Sequence, residues 1–523
     1  MRKVFILLLV LVLLLPGCSV PQERALYDNL PYSHPDMAAF DQVLSESCAV
    51  AESSYDISEV EDAIWAFYDA YDAFYTAYNL SYIRYCADLT DLYWEAEYTY
   101  CEENTVQADA GLEELFRSLA RSPIRQTLES DDYFGPGYFD AYEGESLYDE
   151  TFMGLLDREA ALLAEYYDLS AGVAEEDYYT AQYFDKYEPL LGENLAELVK
   201  VRQEMAAYAG YESYPAFAYD FYYYRNYSPA QASALGEEIL RQLVPLYRDL
   251  GDSSLWELGE AYCTVEDAIR YVRDACEAMG GVIWEAFRLM EQEQLFDMRA
   301  GENRYDISFE TYLYTHYVPF VFVNPWETAY DKLTLAHEFG HFANDYVCGG
   351  SYTGVDVSEV FSQGMEYVSL CYNPDMGLET AKLLDCLSLY VEQTAYAMFE
   401  QALYGMPPED LNADSIHALY EQICTAYGFD SWNWDSRDYI TVSHFYMEPM
   451  YIISYVVSND VAFQIYQLEK AQPGAGKTLL EENLSSTESY IIAFAEDVGL
   501  ESPFGEDRVR SVREFLEKHL KAA

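Results

Sequence analysis

Positive charge is scarce in this chain. Of 523 residues only 29 are Lys or Arg, against 92 Asp or Glu, which leaves a formal net charge of −63. A phosphate backbone is bound through clustered cations, so nucleic acid is excluded as a partner. Histidine is rarer still, with seven residues. The ten cysteines contain no CxxC pair and are too sparse for a disulfide scaffold at this length; with Cys18 set aside nine remain, so at least one thiol is free or pairs between chains. No Gly-rich phosphate loop and no Ser-His-Asp order stands out. Past the N-terminus no segment is apolar enough to span a bilayer. Core-forming residues are plentiful, at 51% hydrophobic and 16% aromatic, so the acidity does not imply disorder.

The N-terminus reads as an address. Arg2 and Lys3 precede an uninterrupted apolar run from Val4 to Leu15, which is a secretory h-region and too short to cross a membrane. It ends in Leu15-Pro16-Gly17-Cys18, which resembles a bacterial lipobox. Residues 1–17 are therefore expected to be a lipoprotein signal peptide, Cys18 the lipidated first residue, and 18–35 a tether to the outer face of a membrane or cell surface. Losing Arg2 and Lys3 takes the mature net charge to −65. Such a charge is expected to draw cationic peptides into an acidic site.

Two of the scarce histidines sit four apart in Leu333-Thr334-Leu335-Ala336-His337-Glu338-Phe339-Gly340-His341. On a helix both imidazoles of this HExxH pattern point the same way and can reach one metal, with Glu338 beside it. Leu335, Phe339, Phe342 and Tyr346 fall on the opposite face, so the segment can pack on a core while its histidines face a cleft. Gly349-Gly350 is a helix stop. A catalytic zinc takes three protein ligands and keeps one position open. Glu359, twenty-two residues after His337, is the candidate third ligand, in Val357-Ser358-Glu359-Val360-Phe361-Ser362-Gln363-Gly364-Met365-Glu366. As a helix this segment puts Glu359, Gln363 and Glu366 on one face, and Glu366 is placed to steady a ligating histidine through its second ring nitrogen. One Zn2+ per chain would polarise a scissile carbonyl and activate a water, with Glu338 moving the proton to the leaving amine.

The oxyanion donor is sought downstream, in Ser443-His444-Phe445-Tyr446-Met447-Glu448-Pro449-Met450-Tyr451-Ile452-Ile453-Ser454-Tyr455. Pro449 is read as the first turn of a helix that carries Tyr451 and Tyr455 on one face. With 53 tyrosines in the chain, His444 is the more telling residue.

These three segments together resemble the M3 peptidases, the thimet oligopeptidase-like family, and within it the oligoendopeptidase F branch. The stretch Val318-Pro319-Phe320-Val321-Phe322-Val323-Asn324 resembles the strand before HExxH in that branch. The similarity runs from about Val199 to the C-terminal helix, and nearer the N-terminus only helical character matches. The resemblance implies a mostly α, two-lobed metallopeptidase with a deep central channel and a small β element before the zinc helix. It implies a zinc-dependent oligoendopeptidase cleaving short peptides. His337, His341 and Glu359 take the ligand roles, Glu338 the catalytic role, and His444 with Tyr451 or Tyr455 the transition-state contacts. Which of Tyr446, Tyr451 and Tyr455 reaches the oxyanion stays open. Phe342-Ala343-Asn344 stands where many relatives carry another histidine.

Residues 310–324 carry the clearest β signal, and the strand before the zinc helix is expected to pair with an extended substrate, a buried hairpin being the alternative. Helices fill most of the rest. Trp65, Tyr68, Tyr71 and Tyr75 recur at helical spacing and are read as packing between helices. Residues 129–148 are read as an exposed connection, 190–208 and 229–250 as further helices. The domain reading is an N-terminal helical lobe over 36–198 and a catalytic region over 199–523. A zinc carboxypeptidase with the same ligands and a degenerate peptide-binding surface lipoprotein are the alternatives, although a binder has no need of Glu338.

Overall fold

The computed structural model describes residues 30–130, 133–144, 146–170, 180–251, 253–301, 303–350, 353–432 and 434–521. The expected signal segment 1–17, Cys18 and the expected tether up to residue 29 lie outside the described residues. The chain divides into two compact units, each discontinuous in sequence. The first is Met1–Ser146, Tyr262–Tyr352 and Glu481–Thr487; the second is Leu147–Ala261, Thr353–Leu480 and Glu488–Ala523.

The first unit begins with three long helices, Met37–Ser53, Ile57–Ala87 and Leu92–Ala120. Each starts at an aspartate, Asp36, Asp56 or Asp91, whose carboxylate accepts backbone N–H groups of the first turn. Such caps are worth about 1 kcal/mol each, so part of the acidic surplus serves helix initiation. Phe40, Phe67, Phe74, Leu112, Leu115 and Phe116 fill the space between these helices. Tyr71 and Tyr75 both donate to Asp109 Oδ1, at 2.8 and 2.6 Å, which is the interhelical packing role expected of them. The expected exposed connection over 129–148 is corrected by its aromatic residues. Phe139 and Tyr142 are buried in a short 3-10 turn, and Phe116 packs against Phe134, Tyr138 and Tyr142. Apolar rings override the turn signals there.

A three-stranded sheet follows: β1 (Phe296–Met298), β2 (Ser308–Leu313) and β3 (Val318–Val323), in the order β1-β3-β2. β3 is parallel to β1, with Phe296 opposite Val321, and antiparallel to β2, with Phe309 opposite Phe322. Every residue of β3 is buried, as its unbroken apolar run requires. The strand directly before the HExxH helix is thus flanked on both sides and is not free to pair with a substrate. On the antiparallel side the outer strand is β2.

The histidine helix, Asp331–Cys348, is set up by its first residue: the Asp331 carboxylate accepts from the Trp326 and Thr328 amides at 3.0 and 3.2 Å. Leu335, Phe339 and Phe342 are fully buried, Phe339 against Phe287 at 5.2 Å between ring centroids. The helix stops at Gly349 and Gly350, with φ of 71° and 72°. A Cβ at Gly350 would stand 2.3 Å from the Tyr312 ring of β2. Gly350→Ala is therefore expected to lower stability by roughly 2 to 3 kcal/mol, combining left-handed strain with overpacking, as a fall in urea midpoint. An unchanged midpoint would show that β2 and the helix end are not packed as described.

In the second unit the carboxylate helix, Val355–Tyr372, lies along the helix Ile453–Ala471. Tyr367 donates to Asn459 Oδ1 at 2.8 Å, and the Gln363 side-chain amide to the Tyr455 carbonyl at 3.3 Å. From Glu359 to Leu370 every residue of the carboxylate helix is buried, polar ones included. Arg508 holds Asp460 of the neighbouring helix with two hydrogen bonds of 3.0 Å. The expected 229–250 helix is two, Pro229–Gln242 and Val244–Leu250, broken where Pro245 lacks an amide hydrogen. Helix Ala181–Tyr208 contains Pro189. None of the nine cysteines from Cys48 to Cys424 is in a disulfide. Among the described residues no helix is long and apolar enough to cross a membrane.

Candidate active site

The first unit supplies the two histidines. On the histidine helix the rings of His337 and His341 stand 5.1 Å apart between centroids, nearly perpendicular, as one-turn spacing requires. Glu338 between them is buried, at 6% exposure. Two further carboxylates belong to this neighbourhood and were missed by sequence reading. Asp345, one turn beyond His341, is pushed up to about 6 by burial, opposed by His341. Glu310 of β2 is held well above the carboxylate range, first by burial and then by the charges of Asp345 and Glu338. Asp345 carried a signal, the i+4 spacing from His341. Glu310 carried none, because its place depends on strand register.

The second unit supplies Glu359 and the donors around it. Glu359 is 4% exposed; its Oε2 accepts from Ser362 Oγ at 2.9 Å and its Oε1 from the Tyr451 hydroxyl at 2.7 Å. Burial first, and the Glu359 charge second, hold the Tyr451 phenol protonated far above its ordinary range. His444 Nε2 lies 3.3 Å from the Tyr455 hydroxyl, and the His444 ring is 5.7 Å from that of Tyr451. Burial pushes His444 down to about 4, with the Glu359 carboxylate opposing, so the imidazole is neutral at physiological pH. Tyr451 and Tyr455 rings stand 5.2 Å apart.

Tyr446 is placed elsewhere. It is fully buried, stacks on Tyr166 at 4.2 Å and donates to the Leu191 carbonyl at 3.3 Å. Of the three open tyrosines, Tyr451 and Tyr455 remain. Pro449 does not begin a helix, as the sequence had suggested: a short helix His444–Met447 ends before it, and the next starts at Ile453. Between them Met450 takes a φ of 70°. Tyr451 thus projects from a turn, and only Tyr455 sits in the helix. Buried Arg202 holds the preceding segment, donating to the carbonyls of Phe445 and Tyr446. Glu366 is buried on the carboxylate helix beside Lys382, whose ammonium lies 2.7 Å from Glu366 Oε2.

Residues 27–146 match the Peptidase M3 N-terminal domain. That match corrects the expectation that only helical character links this end to the family. No curated protein sequence matches the chain. Three of the solved structures that share its fold illustrate the likeness. One, described as an oligoendopeptidase F, is 21% identical with a TM-score of 0.82 over 95% of this chain and 99% of that one. PZ peptidase A with an inhibitor is 19% identical with a TM-score of 0.82 over 95% and 99%. A protein from Bacillus anthracis described as an oligoendopeptidase F is 19% identical with a TM-score of 0.78 over 96% and 99%. The chain thus carries a segment that matches the Peptidase M3 N-terminal domain, and over nearly its whole length it shares the fold of solved structures described as oligoendopeptidase F.

Proposed function

We propose that the protein is a zinc-dependent endopeptidase acting on short peptides, exported and anchored through Cys18. The observation that supports this reading is the chemistry that each unit offers by itself. One offers two imidazoles with a buried carboxylate between them; the other offers a carboxylate ringed by a protonated phenol and a neutral imidazole. Held to one ion, His337, His341 and Glu359 would give a donor set of two nitrogens and one oxygen, which suits a catalytic zinc. A zinc ion held by these three would act as a Lewis acid on the scissile carbonyl and make a water acidic at neutral pH.

The chain's own residues do the rest. Glu338 accepts the proton of the attacking water and passes it to the leaving nitrogen, which requires it to stay free of the ligand set. Tyr451 keeps its proton, and on turning its hydroxyl away from Glu359 it can give that hydrogen bond to the carbonyl oxygen as charge develops there. Neutral His444 can donate likewise from one ring nitrogen, with the Tyr455 hydroxyl beside its Nε2 fixing the ring.

The test is metal content and peptide cleavage by residues 19–523, with internally quenched peptides blocked at both ends. One zinc per chain is expected, with cleavage inside blocked peptides that a chelator stops and zinc restores. Lys-rich peptides should be cut faster than Glu-rich ones at low salt, and equal rates would remove the electrostatic preference. Cleavage only at free C-termini would make the protein a carboxypeptidase. Zinc bound without cleavage of any peptide would leave peptide capture as the function.

A further inference from the structure

The turn that presents Tyr451 is held at four backbone groups by side chains from elsewhere in the second unit. The Pro449 carbonyl accepts from the Tyr223 hydroxyl at 2.9 Å, the Met450 amide donates to Glu400 Oε1 at 2.8 Å, and the Met450 carbonyl accepts from Arg225 Nη1 at 2.8 Å. Arg225 Nη2 reaches on to the Tyr451 carbonyl at 3.3 Å and to Ser454 Oγ at 2.7 Å. Its Nε lies 3.4 Å from Asp356 Oδ1, which also accepts from Ser454 Oγ at 2.5 Å. The guanidinium is buried against the rings of Tyr219 and Tyr223, each 4.4 Å from its centre.

Asp356 and Glu359 belong to one helix, one turn apart. A single planar fork therefore joins the Tyr451 turn to the helix whose Glu359 receives the Tyr451 hydroxyl. Met450, with its side chain in left-handed backbone, needs such a surround, since that conformation persists only where neighbours over-determine it. We infer that Arg225 is a positioning residue that fixes the Tyr451 turn against the Glu359 helix. Lysine, a point charge with no fork, cannot bridge two carbonyls, a hydroxyl and a carboxylate at once. The inference rests on the proposed role of Tyr451 as a donor.

The test places 3-fluorotyrosine at position 451 of the full chain. One narrow 19F line is expected in the parent protein, and a broadened or split line in Arg225→Lys, with zinc content and Tm little changed. Without the label, Arg225→Lys should lower kcat roughly 100-fold, the cost of a misplaced group, with KM within about two-fold. Tyr451→Phe should add little in that background, because the two changes remove one function. Should Arg225→Lys not fold, Ser454→Ala removes one arm of the bridge and should broaden the same line. An unchanged line in the variant that folds overturns the inference, as do losses from Arg225→Lys and Tyr451→Phe that multiply. A broadened line with Tyr451→Phe fully active upholds the positioning role and removes Tyr451 from the reaction instead.

Discussion

Glu338→Gln is expected to lower kcat by roughly 1,000-fold or more while zinc content stays at the parent value, the span assigned to a lost general acid–base group at the upper end. The amide keeps the volume of the carboxylate but cannot take a proton from water. Glu338 is buried, so an amide in its place removes the cost of holding a carboxylate out of water. Thermal stability should accordingly hold or rise as activity disappears, a trade expected where a site is built for chemistry and not for folding. Cleavage within ten-fold of the parent would exclude Glu338 as the proton carrier. Loss of zinc would move it into the ligand set.

The second large effect concerns stability and pH. Glu400 is 1% exposed, and burial pushes its carboxyl up from 4.5 to about 8, against the opposing pull of the Met450 amide and of Arg225 and Arg202. Below about pH 4.5 the group is protonated in both folded and unfolded chains and contributes nothing to the pH dependence. Between about 4.5 and 8 the unfolded chain has released the proton and the folded chain keeps it, so stability falls as pH rises. The slope is at most about 1.4 kcal/mol per pH unit. Relaxation around the site reduces the total to roughly 2 to 3 kcal/mol over the window. Glu400→Gln retains an oxygen for the Met450 amide and has nothing to ionise. It should be more stable than the parent at pH 8 and lose that advantage at pH 5, read as the difference in urea midpoints. A constant difference across this range would show that Glu400 is ionised throughout.

Much of the histidine half-site was legible because it is local. HExxH spacing, an apolar face of Leu335, Phe339 and Phe342, and a Gly349-Gly350 stop are all properties of one helix, and the structure carries each of them. The strand signal over 310–324 was legible for the same reason, but its place in the sheet was not. β1 is three residues long and pairs with β3 in parallel, so nothing near 318–323 announces a neighbour on that side. The tyrosines divided on tertiary grounds alone. Tyr446 and Tyr451 look alike in sequence, and what separates them is a Leu191 carbonyl for one and a Glu359 carboxylate for the other. Arg225, more than two hundred residues before the turn it holds, had no local mark at all. Pro449 misled because proline fits a first helical turn and an ordinary turn equally well.

Burial of every residue from Glu359 to Leu370 has a consequence for how this protein can vary. A helix with one wet side can accumulate substitutions there and drift in sequence while its function persists. Over that stretch this one has no wet side. Gly364 shows how tight the surround is, since a Cβ there would stand 3.1 Å from Leu480. Glu359 is therefore planted in a segment where nearly any exchange is paid for in packing, and descendants of this chain should differ least in sequence along Glu359–Leu370.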